Sequence, residues 1–196
     1  MRRALYTFAL GVAFLLPSVP AYALYGAGGA DGNGRYFAII SSQMENGGAL
    51  PRSAVDDAHG CNGQNVAPSL EWSGAPAATR SFAVSMFDPD APNGGFLHWA
   101  VLNIPDSAYV LSPDSASGKT NALPGNAALM RNSYGNSAYA GACPPRGETH
   151  HYEFTVYAMP DRYEFYPFSQ TGPSTIAWLR EHALASATLS VTYTRN

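Results

Sequence analysis

Lysine is almost absent from this 196-residue chain, and its other basic residues are thinly spread. Lys119 is the only lysine, and 11 basic side chains face 14 acidic ones, which gives a net charge of −3. A protein that binds nucleic acid through counterion release needs a dense basic surface, and polybasic segments are what attract anionic lipid. The sequence therefore argues against nucleic acid as a partner.

Long hydrophobic runs are also missing, apart from one near the N-terminus. Residues 4–16 are largely apolar, follow Arg2 and Arg3, and precede two prolines and an Ala-Tyr-Ala ending at residues 21–23. Such a charged head, short apolar middle and small-residue end are typical of a secretory signal, with an uncleaved anchor as the alternative. We predict a signal peptide at residues 1–23 and a periplasmic or secreted protein without stable membrane insertion. Removal of residues 1–23 would leave 9 basic against 14 acidic side chains, a net charge of −5.

Cysteine is scarce, since Cys61 and Cys143 are the only two and no C-x-x-C spacing occurs. An exported chain meets an oxidising compartment, which favours one structural disulfide over a metal or redox site. A bridge closing so long a loop is worth about 4 to 5 kcal/mol in the chain-entropy model. The predicted bridge ties together the segments around the two cysteines.

Complete catalytic motifs are missing too. No H-E-x-x-H motif occurs, and the G-x-S-x-G pattern that begins at Gly135 ends on Tyr139 where glycine is required. We therefore predict no enzyme and no cofactor. The alternative is a metal-dependent hydrolase, because two carboxylates and two imidazoles can hold zinc. Its ligands would be Asp88, Asp90, His98 and His150.

The most informative segment is a predicted hairpin in the middle of the chain. Ser81–Phe87 is mostly apolar and predicts a buried strand, and Phe96–Ile104 is rich in aromatic and branched residues and predicts the next one. Two prolines and two glycines between them make a rigid turn. That turn holds Asp88 and Asp90 near His98, at one end of the hairpin.

The remaining patterns predict a mainly β (β-rich α+β) domain at residues 37–196, after a flexible glycine-rich segment at 24–36. Further strands are predicted at residues 37–42, 70–72, 150–159 and 189–193, with long loops at 52–69, 107–126 and 130–147. One helix is predicted, capped by Ser174, with an apolar face of Ile176, Leu179, Ala183 and Leu184. Because strand residues alternate between faces, at most one of His150 and His151 should enter a site.

Two blocks of sequence resemble the signatures of the phosphatidylethanolamine-binding protein (PEBP) family, in its bacterial, Raf-kinase-inhibitor-like branch. They are Asp88-Pro89-Asp90-Ala91-Pro92 with His98-Trp99, and the run Cys143–Phe154. Further similarity lies in Cys61–Trp72 and Arg131–Gly135, so the resemblance covers nearly all of the predicted mature chain.

This resemblance implies two antiparallel sheets with a C-terminal helix, and a small anion-binding pocket at one end. Family members bind phosphate or phosphorylethanolamine and act as binding proteins or inhibitors of a partner protein, without an established reaction. The residues implied to line the pocket are Asp88, Asp90, Pro92, His98, Gly141, Pro144, His150 and Tyr152. One departure is that the family's Gly-Gly-Pro-Cys reads Ala-Gly-Ala-Cys at residues 140–143, which affects the backbone of that loop.

The chemistry of these residues suits a phosphate group. Imidazole N–H groups, the Tyr152 hydroxyl and backbone N–H groups around Gly141 are expected to donate to it. The carboxylates are expected to hold the histidines in the donating tautomer, raise their pKa or receive an ammonium group. A ligand such as phosphorylethanolamine, which carries both signs of charge, fits both sets.

Overall fold

A computed structural model describes residues 28–30, 36–113, 122–163 and 172–196. Within these ranges nine strands form two antiparallel sheets, joined by one 3₁₀ helix (Arg52–Ala54) and one α-helix, α1 (Gly172–His182). The strands are β1 (Gly28–Ala30), β2 (Tyr36–Ile40), β3 (Leu70–Ser73), β4 (Ser81–Asp88), β5 (Phe96–Pro105), β6 (Val110–Leu111), β7 (Ala128–Leu129), β8 (Thr149–Met159) and β9 (Ala185–Thr194). The predicted signal peptide lies outside the described residues.

The smaller sheet has the strand order β1-β2-β3-β6. Its strands bury alternate residues, with Phe37 and Ile39 of β2 and Leu70 and Trp72 of β3 on the inner face. This alternation is what a sheet covered on one face requires. Its first strand, β1, lies in the segment predicted to be flexible, where the structure pairs Gly28–Ala30 with β2.

The larger sheet has the order β7-β5-β4-β8-β9 and is covered on both faces. Phe82, Val84 and Met86 of β4 face the smaller sheet, whereas Ala83 and Phe87 belong to a second cluster with α1. Every residue of β4 is buried, because the strand lies between two neighbours and two layers. That position explains its continuous apolar sequence.

The predicted mainly β fold with two antiparallel sheets is confirmed, and the β4–β5 hairpin and β8 lie where the sequence placed them. The helix differs in its bounds. It begins at Gly172, before the predicted cap Ser174, and it ends at His182, so that Ala183 and Leu184 follow it. The last strand is longer than predicted, at ten residues. Within the described residues, no helix is both long and apolar enough to cross a bilayer.

The predicted disulfide is formed between Cys61 and Cys143, with 5.7 Å between the two Cα atoms. The bridge joins two long loops that are 82 residues apart in the chain. The two loops run side by side, since Val55 pairs with Ala142 in an isolated bridge, and the second loop reaches β5, where Ala140 N donates to His98 O. The disulfide therefore fixes the loops that border the site described next.

Candidate functional site

Three neighbouring strands of the larger sheet bring four buried polar side chains to one end of the fold. Asp88 ends β4, His98 lies near the start of β5, and His150 and Tyr152 lie on β8. All four are buried, with exposed fractions between 0% for Tyr152 and 6% for His150. Since β4 lies between β5 and β8, Asp88 lies between the strands that carry the two histidines.

An irregularity in β5 sets the direction of His98. Met86 pairs with Trp99 and Phe87 pairs with Leu97, so His98 is an extra residue in its strand. This is a β-bulge, a feature that redirects a side chain and bends the strand locally. The redirected ring of His98 meets the edge of Tyr152 at a centroid distance of 5.4 Å.

His98 is a neutral hydrogen-bond acceptor in this environment. Its Nδ1 lies 3.0 Å from the carbonyl oxygen of Ala140, and because a carbonyl can only accept, Nδ1 carries the proton. Burial lowers the pKa of His98 to about 4, against the opposing effect of the Asp88 charge. Near neutral pH the free Nε2 therefore offers a lone pair. His98 thus donates its one N–H to Ala140 and, unlike the expected donor to phosphate, presents an acceptor at Nε2.

His150 has the opposite character. Its Nδ1 lies 2.7 Å from Asp88 Oδ2, and its Nε2 lies 3.1 Å from Glu148 Oε2. Carboxylates accept, so the two bonds together require a proton on each ring nitrogen. Burial works against that charge, but the hydrogen bonds to Asp88 and Glu148 outweigh it and raise the pKa of His150. His150 is thus an imidazolium held between two carboxylates.

The Asp88 carboxylate also shapes the turn that follows it. Its Oδ1 accepts the backbone N–H groups of Asp90 at 2.9 Å and of Ala91 at 3.1 Å, which is the pattern of an Asx turn. Its Oδ2 is left for His150. Asp88 is both a turn residue and a site residue, and the turn fixes the position of its carboxylate.

Tyr152 supplies a hydroxyl that is ready to donate. Its oxygen is buried and has no hydrogen-bond partner within the described part of the chain. Burial, with the nearby charge of Asp88, raises its pKa, so the phenol keeps its proton. A buried polar group without a partner costs stability, and such groups are often explained by a ligand or water.

Asp90 and Pro92 are exposed and do not join the buried cluster. The Asp90 carboxylate accepts both the backbone N–H and the Nδ1–H of His151 at 2.7 Å. These hydrogen bonds lower the pKa of Asp90. His151 has a side chain 57% exposed, whereas His150 is buried, as the alternation along the strand predicted.

Gly141 and Pro144 border the site through their backbone. Gly141 follows Ala140, the partner of His98, but its N–H is already donated to Asn65 Oδ1 at 2.7 Å. The N–H of Gly141 itself is therefore engaged within the protein, and the expectation that the loop around it donates to phosphate stays a prediction. Pro144 is buried, and its carbonyl oxygen accepts from Arg195 Nη1 at 3.2 Å.

Sequence reasoning missed several residues that build the surroundings of the site. Asn132 organises the loop that follows it. Its buried amide nitrogen donates to Ala138 O at 3.0 Å, and its Oδ1 accepts the N–H groups of Tyr134 and Asn136. Asn65 and Asn132 lie in segments that resemble the family, and that resemblance was the only sequence feature that could have pointed to them. Glu148 lies inside a signature block, but nothing in the motif singled it out.

A row of rings extends from the loop at residues 52–69 toward the site. Asp56 accepts from His59 Nδ1 at 2.6 Å, and the His59 ring stacks on Tyr134 with centroids 5.6 Å apart. Tyr134 contacts Phe96, which in turn contacts His98 at 4.8 Å. His59, to which the sequence assigned no role, is thus linked to the site through packed rings.

The ligand set of the alternative metal site is not brought together. Asp88, Asp90, His98 and His150 all lie in the described ranges, yet Asp90 turns to His151 and His98 turns to a carbonyl. In those ranges, no group of three or more His, Cys, Asp or Glu side chains is arranged to hold a metal ion.

The described part of the chain is a β protein with two antiparallel sheets and one covering helix. It has a small polar site at one end, made of two imidazoles, a carboxylate and a phenol. The family model of phosphatidylethanolamine-binding protein matches residues 40–194. The chain therefore belongs to this family, and the resemblance of the motifs is confirmed.

Relatives in Escherichia coli support the assignment. The UPF0098 protein YbcL is 44% identical over 125 residues, which are 63% of this chain and 68% of YbcL. The UPF0098 protein YbhB is 37% identical over 156 residues, which are 79% of this chain and 98% of YbhB. The crystal structure of YbcL, described as a member of the mammalian PEBP family, superposes with a TM-score of 0.76 and covers 82% of this chain and 99% of YbcL at 36% identity.

Proposed function

We propose that this protein is an exported small-ligand-binding protein whose site takes a phosphomonoester anion, of the phosphate or phosphorylethanolamine type. The observation that carries the proposal is the His150 imidazolium beside the unpartnered Tyr152 hydroxyl. A cation and a buried O–H donor are complementary to phosphoryl oxygens. The neutral His98 Nε2 would accept the remaining proton of a monoanionic phosphate.

The proposal is one of binding and not of catalysis. Both oxygens of Asp88 are engaged, by the turn and by His150, so this carboxylate is poorly placed to act as a base. Modulation of a partner protein is part of the proposal and rests on the resemblance to the family.

Export is supported by three observations. The N-terminal sequence has the pattern of a secretory signal, and the structure contains a disulfide. A relative from Mycobacterium tuberculosis, 37% identical over 134 residues, is named as a putative lipoprotein, LppC.

The test is an NMR titration of the mature protein with phosphorylethanolamine and with inorganic phosphate, following the ring signals of His98 and His150. We expect saturable shifts at both rings and their loss in His150→Ala. His151→Ala is the matched control, because it removes the neighbouring, exposed imidazole and should leave binding intact. Affinity should weaken as the pH rises through the raised pKa of His150. An unchanged affinity in His150→Ala would contradict the proposal.

A further inference from the structure

Three Asn-Gly pairs lie in the described part of the chain: Asn46-Gly47, Asn62-Gly63 and Asn93-Gly94. A fourth, Asn33-Gly34, lies outside it. In such a pair the main-chain nitrogen of the glycine can attack the side-chain carbonyl of the asparagine, because glycine has no side chain to hinder the approach. The attack needs a glycine nitrogen that is free of hydrogen bonds and an asparagine side chain that can turn toward it. The surroundings of each pair therefore decide whether it reacts.

Two of the pairs are held by hydrogen bonds. The N–H of Gly47 donates to Ser190 O at 2.7 Å, and Asn46 Oδ1 accepts the N–H of Ser190 at 2.8 Å. The N–H of Gly63 donates to Asp56 O at 2.7 Å. Both glycine nitrogens are thus engaged in bonds that must break, through a local opening of the fold, before the attack can begin.

Asn93-Gly94 has neither restraint. Both residues are exposed in the turn between β4 and β5, and within the described residues neither the Gly94 N–H nor the Asn93 side chain has a hydrogen-bond partner. The nearest atoms to a Cβ built on Gly94 belong to Pro173, at 3.9 Å, so the space around this glycine is open. Asn93 has a φ of +62°, in the left-handed region that costs a non-glycine residue energy. Opening of this turn therefore breaks no hydrogen bond of the pair.

We propose that Asn93-Gly94 is a site of spontaneous covalent modification, by deamidation to aspartate and isoaspartate. The Gly94 nitrogen forms a bond to Cγ of Asn93 and loses its proton, while the bond from Cγ to the amide nitrogen breaks and ammonia leaves. Water, the only co-reactant, then opens the resulting succinimide. Opening on one side gives aspartate, and opening on the other gives isoaspartate, in which the main chain runs through the former side chain.

The modification reaches the polar site through the turn that begins at Asp88. Isoaspartate lengthens the main chain by a methylene group just before Gly94 and Gly95. Gly95 has little room to absorb this change, because even a Cβ atom there would lie 2.8 Å from Asp88 O. Asp88 in turn holds His150 Nδ1 at 2.7 Å. We therefore expect the environment of the His150 ring to change in the isoaspartate form.

The experiment incubates the mature protein at mildly alkaline pH and follows each Asn-Gly pair by peptide mapping with mass spectrometry, which detects the replacement of an amide NH₂ by a hydroxyl group. We expect Asn93 to convert at least about fivefold faster than Asn46 or Asn62, since each of those pairs must first break a hydrogen bond. In protein that is reduced and unfolded in urea, the three rates should be similar. Equal rates at the three positions in the folded protein would overturn the proposal.

Asn93→Gly is the variant that blocks the reaction, because glycine lacks the amide and adopts a φ of +62° without strain. Asn62→Gly is the matched control, since Asn62 has a similar φ of +55° and its replacement should leave conversion at residue 93 unchanged. Incubated wild type should show a second set of NMR signals for the His150 ring, and incubated Asn93→Gly should not. Conversion of Asn93 without any change at His150 would overturn the effect on the site. No ligand enters the experiment, so its outcome is independent of the proposed function.

Discussion

Asn65 accepts the backbone N–H of Gly141 through Oδ1 at 2.7 Å and so ties together two loops that are 76 residues apart. The disulfide joins the same two loops, at Cys61 and Cys143. This hydrogen bond and the disulfide lie within a few residues of each other, and together they hold the two loops that border the site. His98 depends on this arrangement, because its partner Ala140 precedes Gly141.

Gly141→Ala should disrupt this junction. A Cβ atom at Gly141 would lie 2.5 Å from Val55 C and 2.7 Å from Ala54 O, and backbone atoms cannot move aside as a side chain can. We expect the free energy of unfolding to fall by about 2 to 3 kcal/mol, the upper range for overpacking. Urea unfolding followed by circular dichroism measures it.

Gly135→Ala is the control for that variant. Gly135 has a φ of +86°, but no atom would lie within 4 Å of an added Cβ. The loss should be about 1 kcal/mol and come from the backbone conformation alone. Equal losses in the two variants would contradict the steric account of Gly141.

Removal of the disulfide, by Cys61→Ser together with Cys143→Ser, should lower the free energy of unfolding by about 4.5 kcal/mol, because the bridge closes a loop of more than 80 residues. Urea unfolding with and without reductant is the measurement. Reductant should destabilise the wild type by a similar amount and leave the double variant unchanged. A wild type that is insensitive to complete reduction would contradict this expectation.

The elements that could be predicted from the sequence are those whose residues carry a strong local pattern. The hairpin of β4 and β5 and the long β8 have such patterns. The two-residue strands β6 and β7 do not, because they exist only through pairing with a neighbour. The start of α1 was missed for a similar reason, since Gly172 packs closely against Leu97 and Ser133.

The four buried site residues were identified through their motifs, but their chemistry depends on distant partners. His98 and His150 are both histidines near Asp88, and the sequence treated them alike. Burial makes His98 neutral, and hydrogen bonds to Asp88 and Glu148 make His150 cationic. Glu148 is only two residues from His150, but the burial of His98 and the contact of His150 with Asp88, 62 residues away, depend on tertiary packing that no local pattern predicts.

His98→Gln should flatten the dependence of stability on acid pH. The pKa of His98 is about 4 in the folded protein, below its ordinary value of 6.5. The unfolded chain therefore binds the proton first, and stability that is full above pH 6.5 is lost as the pH falls toward 4. Between pH 7.5 and 4.5 this linkage is worth about 2.5 kcal/mol.

Urea unfolding at the two pH values measures the effect of His98. The wild type should lose about 2.5 kcal/mol more than His98→Gln over this range, since other acidic groups titrate alike in both proteins. Parallel losses in the two proteins would show that His98 is not held neutral by burial.

Arg195, next to the C-terminus, holds the same two loops from outside the site. Its Nη2 donates to His59 O at 2.8 Å, and its Nη1 donates to Pro144 O at 3.2 Å. Arg195→Ala should lower the free energy of unfolding by about 2 kcal/mol, the usual size for hydrogen bonds from a charged donor. Arg195→Lys should not restore it, because a single ammonium group lacks the fork that reaches both carbonyls.

Arg180→Ala is the matched control for Arg195→Ala. The Arg180 side chain is 58% exposed and pairs with Glu153 at 3.2 Å on the surface, so its loss should cost less than about 1 kcal/mol. Arg195→Ala should also alter the NMR signals of His59 and Cys143, which Arg180→Ala should leave in place. If the two variants unfold at the same urea concentration, the hydrogen bonds of Arg195 contribute no more than a surface ion pair. The disulfide and the Asn65 hydrogen bond would then suffice to hold the two loops.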